Sequence, residues 1–466
     1  MLLQKNRKII PAMVRRHVED SAFYWSQIDA SERSTTVAFS DLLRFNSTLR
    51  AHLDGISVAG IGALPVAMAA LERWMKPGEA FACSCAAMLA EDTEQLDALA
   101  SKLEEQPDEL LRGAISALAW VPSEGAERVI KNWTASGSSS VRFVVALRAL
   151  YLINTCLVTA PLSSDSALWL QTPLNELLRD SDRHVRAAAC RLAALEDEDE
   201  EIEDLLIDAL SDSDLAVRSQ AAISIARLAQ LRANQVHHGK RSNKDLTILG
   251  VETLKQSIRS QILLSSTATG WHSKQARRRL SRWIQHLAWM IKPGTSDLYK
   301  MLESMPVRSA LHFVLHHGDP VHLRFVVEQM ANSATARYAG WVWEVITGID
   351  LVESGLSLEE PSMSYDATLD TTPIDADFGL VLPNAEAISN CKLSLSTGQR
   401  YFKGQPIAVT PILDNMKWDS QAERGVASQH LQTLDSLFFI SVRAPAEMQL
   451  RCVDEIKEIM RLEGTA

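Results

Sequence analysis

An all-α solenoid of antiparallel helix pairs is the fold class this sequence predicts, and three observations carry the prediction. A Leu-x-Asp-Ser-Asp-x-x-Val-Arg pattern at Leu178–Arg186 returns at Leu210–Arg218, so that Arg218 follows Arg186 by 32 residues. Catalytic motifs normally occur once; a unit recurring at this period signals stacked supersecondary structure. Apolar residues follow each pattern at helical spacing: Val185, Ala188, Ala189 and Leu192, then Val217, Ala221, Ile225 and Leu228. Helix breakers are scarce, with 20 Gly and 16 Pro in 466 residues, while Ala and Leu abound.

Each part of the chain has a place in that scheme. Residues 1–75 are read as an N-terminal helical cap and 76–230 as the clearest run of repeats. Within them Asp180 and Asp212 stand where a turn hands over to a helix, where they or the adjacent serines can cap free backbone N–H groups. Arg186 and Arg218 occupy equivalent places and can each bond an acidic turn residue, Asp180 or Asp212, forming a ladder between neighbours. Weaker echoes carry Arg112 and Arg142. Residues 231–282 break the period with "RANQVHHGKRSNK" and "WHSKQARRRLSRW", read as a loop followed by longer helices. Residues 283–352 resume the repeats through "HHGDPVH", a turn between helices. The stretch 353–406 is an irregular acidic insertion or linker, and 407–466 a closing helical segment.

Composition narrows the function. Apolar residues at 46% and charged residues at 23% are ordinary for a folded, soluble protein. The net charge of −11 is concentrated between Arg337 and Lys392, where ten acidic and no basic residues occur. The remainder is near neutral, so a broad electrostatic footprint for nucleic acid is not expected. The six cysteines form no CxxC pair and sit in apolar context, which suits buried thiols in a reducing compartment. The uncharged runs Gly55–Leu71 and Ala149–Ser164 are short for a membrane span and contain Pro65 and Pro161. A cytoplasmic protein is expected.

The Asp-Ser-Asp repeat resembles the HEAT repeat, a pair of antiparallel helices stacked into a solenoid. The resemblance extends further. "HVEDSAFYW" (His17–Trp25), "LLRFNSTLRAHLDGISVAG" (Leu42–Gly60), "ARYAGWVWEVITGIDL" (Ala336–Leu351), "DADFGLVLPNAEAI" (Asp375–Ile388) and "GQRYFKGQPI" (Gly398–Ile407) are similar, in order, to blocks of a bacterial HEAT-like family found beside type VI secretion genes. The chain departs from that family in a longer acidic stretch and in Val381-Leu382-Pro383 where Trp-Pro would stand. The resemblance implies a non-enzymatic scaffold, an accessory chaperone or adaptor whose partner is a secretion effector, spike component or other accessory protein.

Candidate sites are few. His316, His317 and His322, and the pair His237–His238, lack further ligands at zinc spacing and are read as turn and helix residues. The Asp-Ser-Asp turns lack the glycine and distal glutamate of a calcium loop. No nucleophile elbow, Cys–His pairing or zinc-protease motif occurs, and no cofactor is implied. "GQRYFKGQP" lacks the Gly-Lys-Ser/Thr ending of a phosphate loop. Arg400 and Tyr401 within it either pack back onto the solenoid or face a partner. "WHSKQARRRLSRWIQHLAW" interleaves Lys274, Arg277, Arg278 and Arg282 with Trp271, Trp283 and Trp289. Trp271, Arg278 and Arg282 are therefore candidate partner-binding residues, and the same segment supports the alternative of a nucleic-acid-binding, base-repair-like solenoid.

Overall fold

Several helices begin at a first-turn proline, as at Pro11, Pro65 and Pro107, or at a capping carboxylate, as at Asp182, Asp199 and Asp214. The computed structural model describes residues 9–90, 93–121, 123–155, 169–196, 199–232, 242–359, 377, 379–462 and 464. The pair His237–His238 and most of the acidic stretch beyond Glu359 lie outside the described residues. Contacts divide the chain into two compact units, Met1–Leu246 with Leu437–Ala466, and Thr247–Ser436.

In the first unit, α1 (Pro11–Ser31), α2 (Phe39–Ala59), α3 (Leu64–Trp74) and α4 (Pro77–Ala90) form one packed group. The segment Phe39–Trp74 contains one window long and apolar enough to cross a membrane by length and composition. It is divided into α2 and α3 at Gly60, whose φ of 55° suits a residue without a side chain. It buries Leu42, Leu49, Ile56, Leu64 and Leu71.

The repeats follow: α5 (Thr93–Glu105), α6 (Pro107–Trp120), α7 (Ser123–Trp133), α8 (Ser140–Thr155), α9 (Leu174–Leu178), α10 (Arg183–Ala193), α11 (Glu200–Asp208) and α12 (Leu215–Leu231). Their Ala-rich helices pack in succession, α4 on α6, α6 on α8, α8 on α10 and α10 on α12. This is the stacking expected of an all-α, HEAT-like solenoid, in which each repeat buries its apolar face against the next.

Small residues set the spacing. A Cβ on Gly113 of α6 would lie 2.0 Å from the Pro77 carbonyl oxygen and 2.7 Å from the Phe81 nitrogen. We expect Gly113→Ala to destabilise the first unit by about 2–3 kcal/mol, because neither backbone atom can yield without parting two helices. Gly125→Ala is the control: its Cβ would meet nothing nearer than a Val121 methyl at 4.0 Å. Urea denaturation of both variants checks this, and equal midpoints would contradict it.

The C-terminal stretch of the first unit returns to its opening helices. Arg443 approaches Asp29 at 3.2 Å and Glu32 at 3.7 Å, the two carboxylates also held by Arg112 at 2.6 and 2.8 Å. The Ala446 amide donates to Asn46 Oδ1 at 3.0 Å, and Arg50 pairs with Glu447. The closing segment expected over 407–466 is therefore divided, with Ser436 in one unit and Leu437 in the other.

The second unit begins within α13 (Asn243–Thr267) and continues through α14 (Gly270–Met290), α15 (Leu298–Glu303), α16 (Val307–His317), α17 (Leu323–Gln329), α18 (Ala336–Thr347) and α19 (Ala385–Ser389). A two-residue hairpin, β1 (Tyr401–Phe402) with β2 (Gln405–Pro406), precedes α20 (Val409–Asn415) and α21 (Gln421–Leu434). The first unit closes with α22 (Ala446–Leu462). The boundary expected at residue 282 falls inside α14, so the basic interval is regular helix on both sides of it. The described part of 353–406 is built into the second unit: Arg308 Nη1 donates to buried Asp377 at 3.0 Å, and Arg337 to the Leu380 carbonyl.

Candidate functional site

The Asp-Ser-Asp turns act in two steps. Asp180 and Asp212 each accept from the backbone two residues on, the amides of Asp182 and Asp214, at 2.7 Å. Asp182 and Asp214, rather than the residues expected, then cap the helices by accepting from His184 and from Ala216 and Val217. Of the two first carboxylates, that of Asp212 also meets an arginine.

Arg186 makes the ladder. Its Nε and Nη2 donate to Asp212 of the next repeat at 2.7 and 3.0 Å, and its Nη1 donates to the Asp180 and Ser181 carbonyls at 2.8 and 3.0 Å. Burial works to raise the Asp212 carboxyl, but the bond from Arg186 and the Asp214 amide outweigh it and hold the group below the usual range. Arg218 turns back on its own turn, at the Asp212 and Ser213 carbonyls. Arg186→Met is accordingly expected to cost about 2 kcal/mol, and Arg218→Met about half as much. Equal losses in thermal denaturation would contradict a rung between repeats.

In the second unit, the segment weighed as a phosphate loop or partner contact closes the ends of three helices. Arg400 is 5% exposed. Its Nη1 donates to the carbonyls of Ala288 and His317 at 3.2 and 2.6 Å, and its Nη2 to those of Trp289 and Ile291 at 3.0 and 2.7 Å. These oxygens belong to the C-terminal ends of α14 and α16, which lack intrahelical donors and carry partial negative charge. Burial lowers the guanidinium to about 10, which leaves it cationic at neutral pH.

The hairpin backbone continues the pattern. The Tyr401 amide donates to Gly318 O at 2.8 Å, and the Lys403 and Gly404 amides donate to Val345 O and Ile346 O, at 2.7 and 3.0 Å. Gly348 ends α18 at φ 70°, and a Cβ there would lie 2.5 Å from the Lys403 carbonyl. Asp319 fixes the entrance, accepting from the Gly294, Val321 and Gly398 amides. Lys403 stands between Asp419 and Glu423, the latter at 3.1 Å. Burial nevertheless pushes the Asp419 carboxyl up to about 6. Arg400 and Tyr401, the latter 5% exposed, therefore take the inward alternative, and neither presents a partner-binding surface.

Around Arg400 the histidines gather. His316, His317, His322 and His430 are all buried. The His312 and His316 rings lie 4.5 Å apart between centroids, and those of His317 and His322 lie 5.2 Å apart. Among the described residues neither ring nitrogen of His317 or His430 has a hydrogen-bond partner. Burial, with Arg400 next in importance, drives both far below the ordinary imidazole range. No group of three His, Cys, Asp or Glu side chains among the described residues is arranged to hold a metal ion.

The basic segment of α14 does not interleave cations with exposed aromatics. Trp283 is 0% and Trp289 7% exposed, both within the core. Arg278 is exposed and Arg282 half-buried, while the side chain of Trp271 lies outside the described residues. These candidates therefore share a helix, but the described tryptophans do not join the arginines in one outer face.

Sequence reasoning missed Asp319 and His430. Asp319 carried a signal, since Gly-Asp-Pro after a helix marks a turn whose carboxylate can collect amides. His430 carried none, because it meets Phe402, Arg400, His316 and His317 only through the fold.

Among known proteins, no curated protein matches the chain. A family model of HEAT repeats matches residues 170–236, the span that holds both Asp-Ser-Asp turns and the rung between them. HEAT repeats are protein-interaction modules, and over that span this chain is similar to them in sequence as well as in the packing of its helices.

Proposed function

We propose that this chain is a non-enzymatic scaffold that holds a protein partner in the bacterial cytoplasm, as an accessory adaptor or chaperone for an effector or spike component of a type VI secretion system. The observation that carries the scaffold reading is the stack α4–α6–α8–α10–α12, joined at one level by the Arg186–Asp212 rung. Stacked repeats expose long ridges of side chains and bind other proteins by shape and surface charge. The secretion role is supported by the quoted blocks, several of which pack on one another here. Gly340 leaves room for Pro383, and Gly348 for Lys403. The burial of Trp283 and Trp289 removes two of the three aromatic platforms that favoured the nucleic-acid alternative.

Affinity purification of the tagged chain from its native cells, with mass spectrometry of what co-purifies, tests the proposal. A toxin-like or spike protein recovered at near-equal amount is the expected result. Recovery of nucleic acid alone, or of no secretion component under secreting conditions, would overturn the secretion role.

A further inference from the structure

Residues 437–445 belong to the first unit but to no helix or strand in it. Their side chains are nonetheless seated. Phe438 and Ile440 are 5% and 0% exposed, with half-buried Phe439 between them, the alternation of an extended chain with one side against a surface. Arg443 then reaches Asp29 and Glu32 at the end of α1, the carboxylates that Arg112 of α6 also holds. Burial, with the repulsion of Arg112 and of Arg191 on α10, lowers its guanidinium below the ordinary value against the pull of Glu32 and Asp29. The segment thus meets charges from α1, α6 and α10, a surface to which several helices of the stack contribute.

Two features make this contact exchangeable. The first is that the carboxylates do not depend on Arg443. Without it Asp29 and Glu32 keep Arg112 at 2.6 and 2.8 Å, while Arg443, already 29% exposed, passes to water. Arg400 is the opposite case, since its departure leaves four carbonyls without a donor. The second is an anchor behind the segment. The helix α22 holds α2 through the Ala446 amide on Asn46 and through Glu447 on Arg50. Gln449 of α22 donates to the Ala444 carbonyl at 2.8 Å and to that of Val442 at 3.2 Å, which fixes the end about which the segment turns.

We infer that residues 437–443 are an internal occupant of a partner-binding surface and give way to an extended segment of a partner protein with the same chemistry. That segment carries two apolar side chains two residues apart and, three residues further on, an arginine, as Phe438, Ile440 and Arg443 do here. The inference rests on the scaffold reading and adds the partner's chemistry and its regulation. Returning Phe438 and Ile440 to water is unfavourable in proportion to their apolar area, so only a segment that refills both seats competes. An acidic segment does not, because its carboxylates would meet Asp29 and Glu32.

The test is a labelled peptide of residues 437–445, added to the full chain and followed by fluorescence anisotropy. In the parent the tethered copy competes with it at an effective concentration on the order of millimolar. Arg443→Glu loosens that copy, because Asp29 and Glu32 repel the new carboxylate. The peptide is therefore expected to bind this variant at least about tenfold more tightly than the parent. The same peptide with glutamate in place of its arginine should bind neither. If Arg443→Glu loses the parent's melting curve, Arg443→Gln, which removes the charge and adds none, carries the comparison. A folded variant that binds the peptide no better than the parent overturns the inference, as does equal binding of the glutamate peptide. In co-purification from native cells, excess peptide should release the partner protein. A partner that stays bound overturns the inference and leaves the scaffold reading standing.

Discussion

Replacing Arg400 with methionine is expected to remove about 3–5 kcal/mol from the stability of the second unit. The aliphatic stem is retained, so the loss comes from four carbonyl oxygens at the ends of α14 and α16 that keep no donor. Each sits where water cannot replace the guanidinium, because Arg400 is itself buried. Arg400→Lys should recover less than half of the loss. An ammonium keeps the charge but not the planar fork that reaches two helix ends at once. Urea denaturation, followed by a probe placed in residues 247–436, measures the difference. A methionine variant as stable as the parent would mean that the hairpin merely lies on the helices.

Acid should weaken the same region, and removing two histidines should abolish much of that weakness. His317, His322 and His430 have pKa values lowered by burial, so each is neutral in the fold and takes up a proton on unfolding once the pH falls below about 6.5. Stability is therefore lost as the pH drops through that value. Two carboxyls oppose the trend. Burial raises Glu344 to about 7 and Asp419 to about 6, so both hold protons in the fold that they release on unfolding, and both gain stability as the pH falls. Comparing His317→Leu/His430→Leu with its parent cancels that opposition. Between pH 6.5 and 5.5 the double variant should gain about 2 kcal/mol relative to the parent, because each unfolded imidazole passes from about half to about nine-tenths protonated over that interval. Parallel stability curves would show that the histidines are solvated or already charged in the fold.

The legible parts of this protein were those written in local periodicity. Asp180, Arg186, Asp212 and Arg218 announce their repeat because the interactions that matter span 5 to 26 residues and recur. Even there the capping role moved by two positions, to Asp182 and Asp214, because the first carboxylate of each turn already accepts from the amide two residues on. Arg400 shows the opposite case. A glycine-flanked arginine in a polar stretch reads equally as a surface loop or as an internal fastening. The choice depends on carbonyls 83 to 112 residues away. The same distance hid the meeting of His430 with His316 and His317, and the return of Arg443 to Asp29 spans 414 residues. Periodicity reports which face of a helix is buried, not which helix end will later need a cation.

The division of labour among the cations is the central claim: Arg400 and its hairpin fasten helix ends, and partner recognition belongs to surfaces elsewhere. Hydrogen exchange of the intact chain, read by mass spectrometry over residues 398–406, tests it most directly. The amides of Tyr401, Lys403 and Gly404 donate to backbone carbonyls of other elements. They should be protected to the same degree as the interior of α16, and Arg400→Met should deprotect them together with the last turns of α14 and α16. Exchange at the rate of an open loop in the parent protein would contradict the claim and return this segment to the surface as a recognition element.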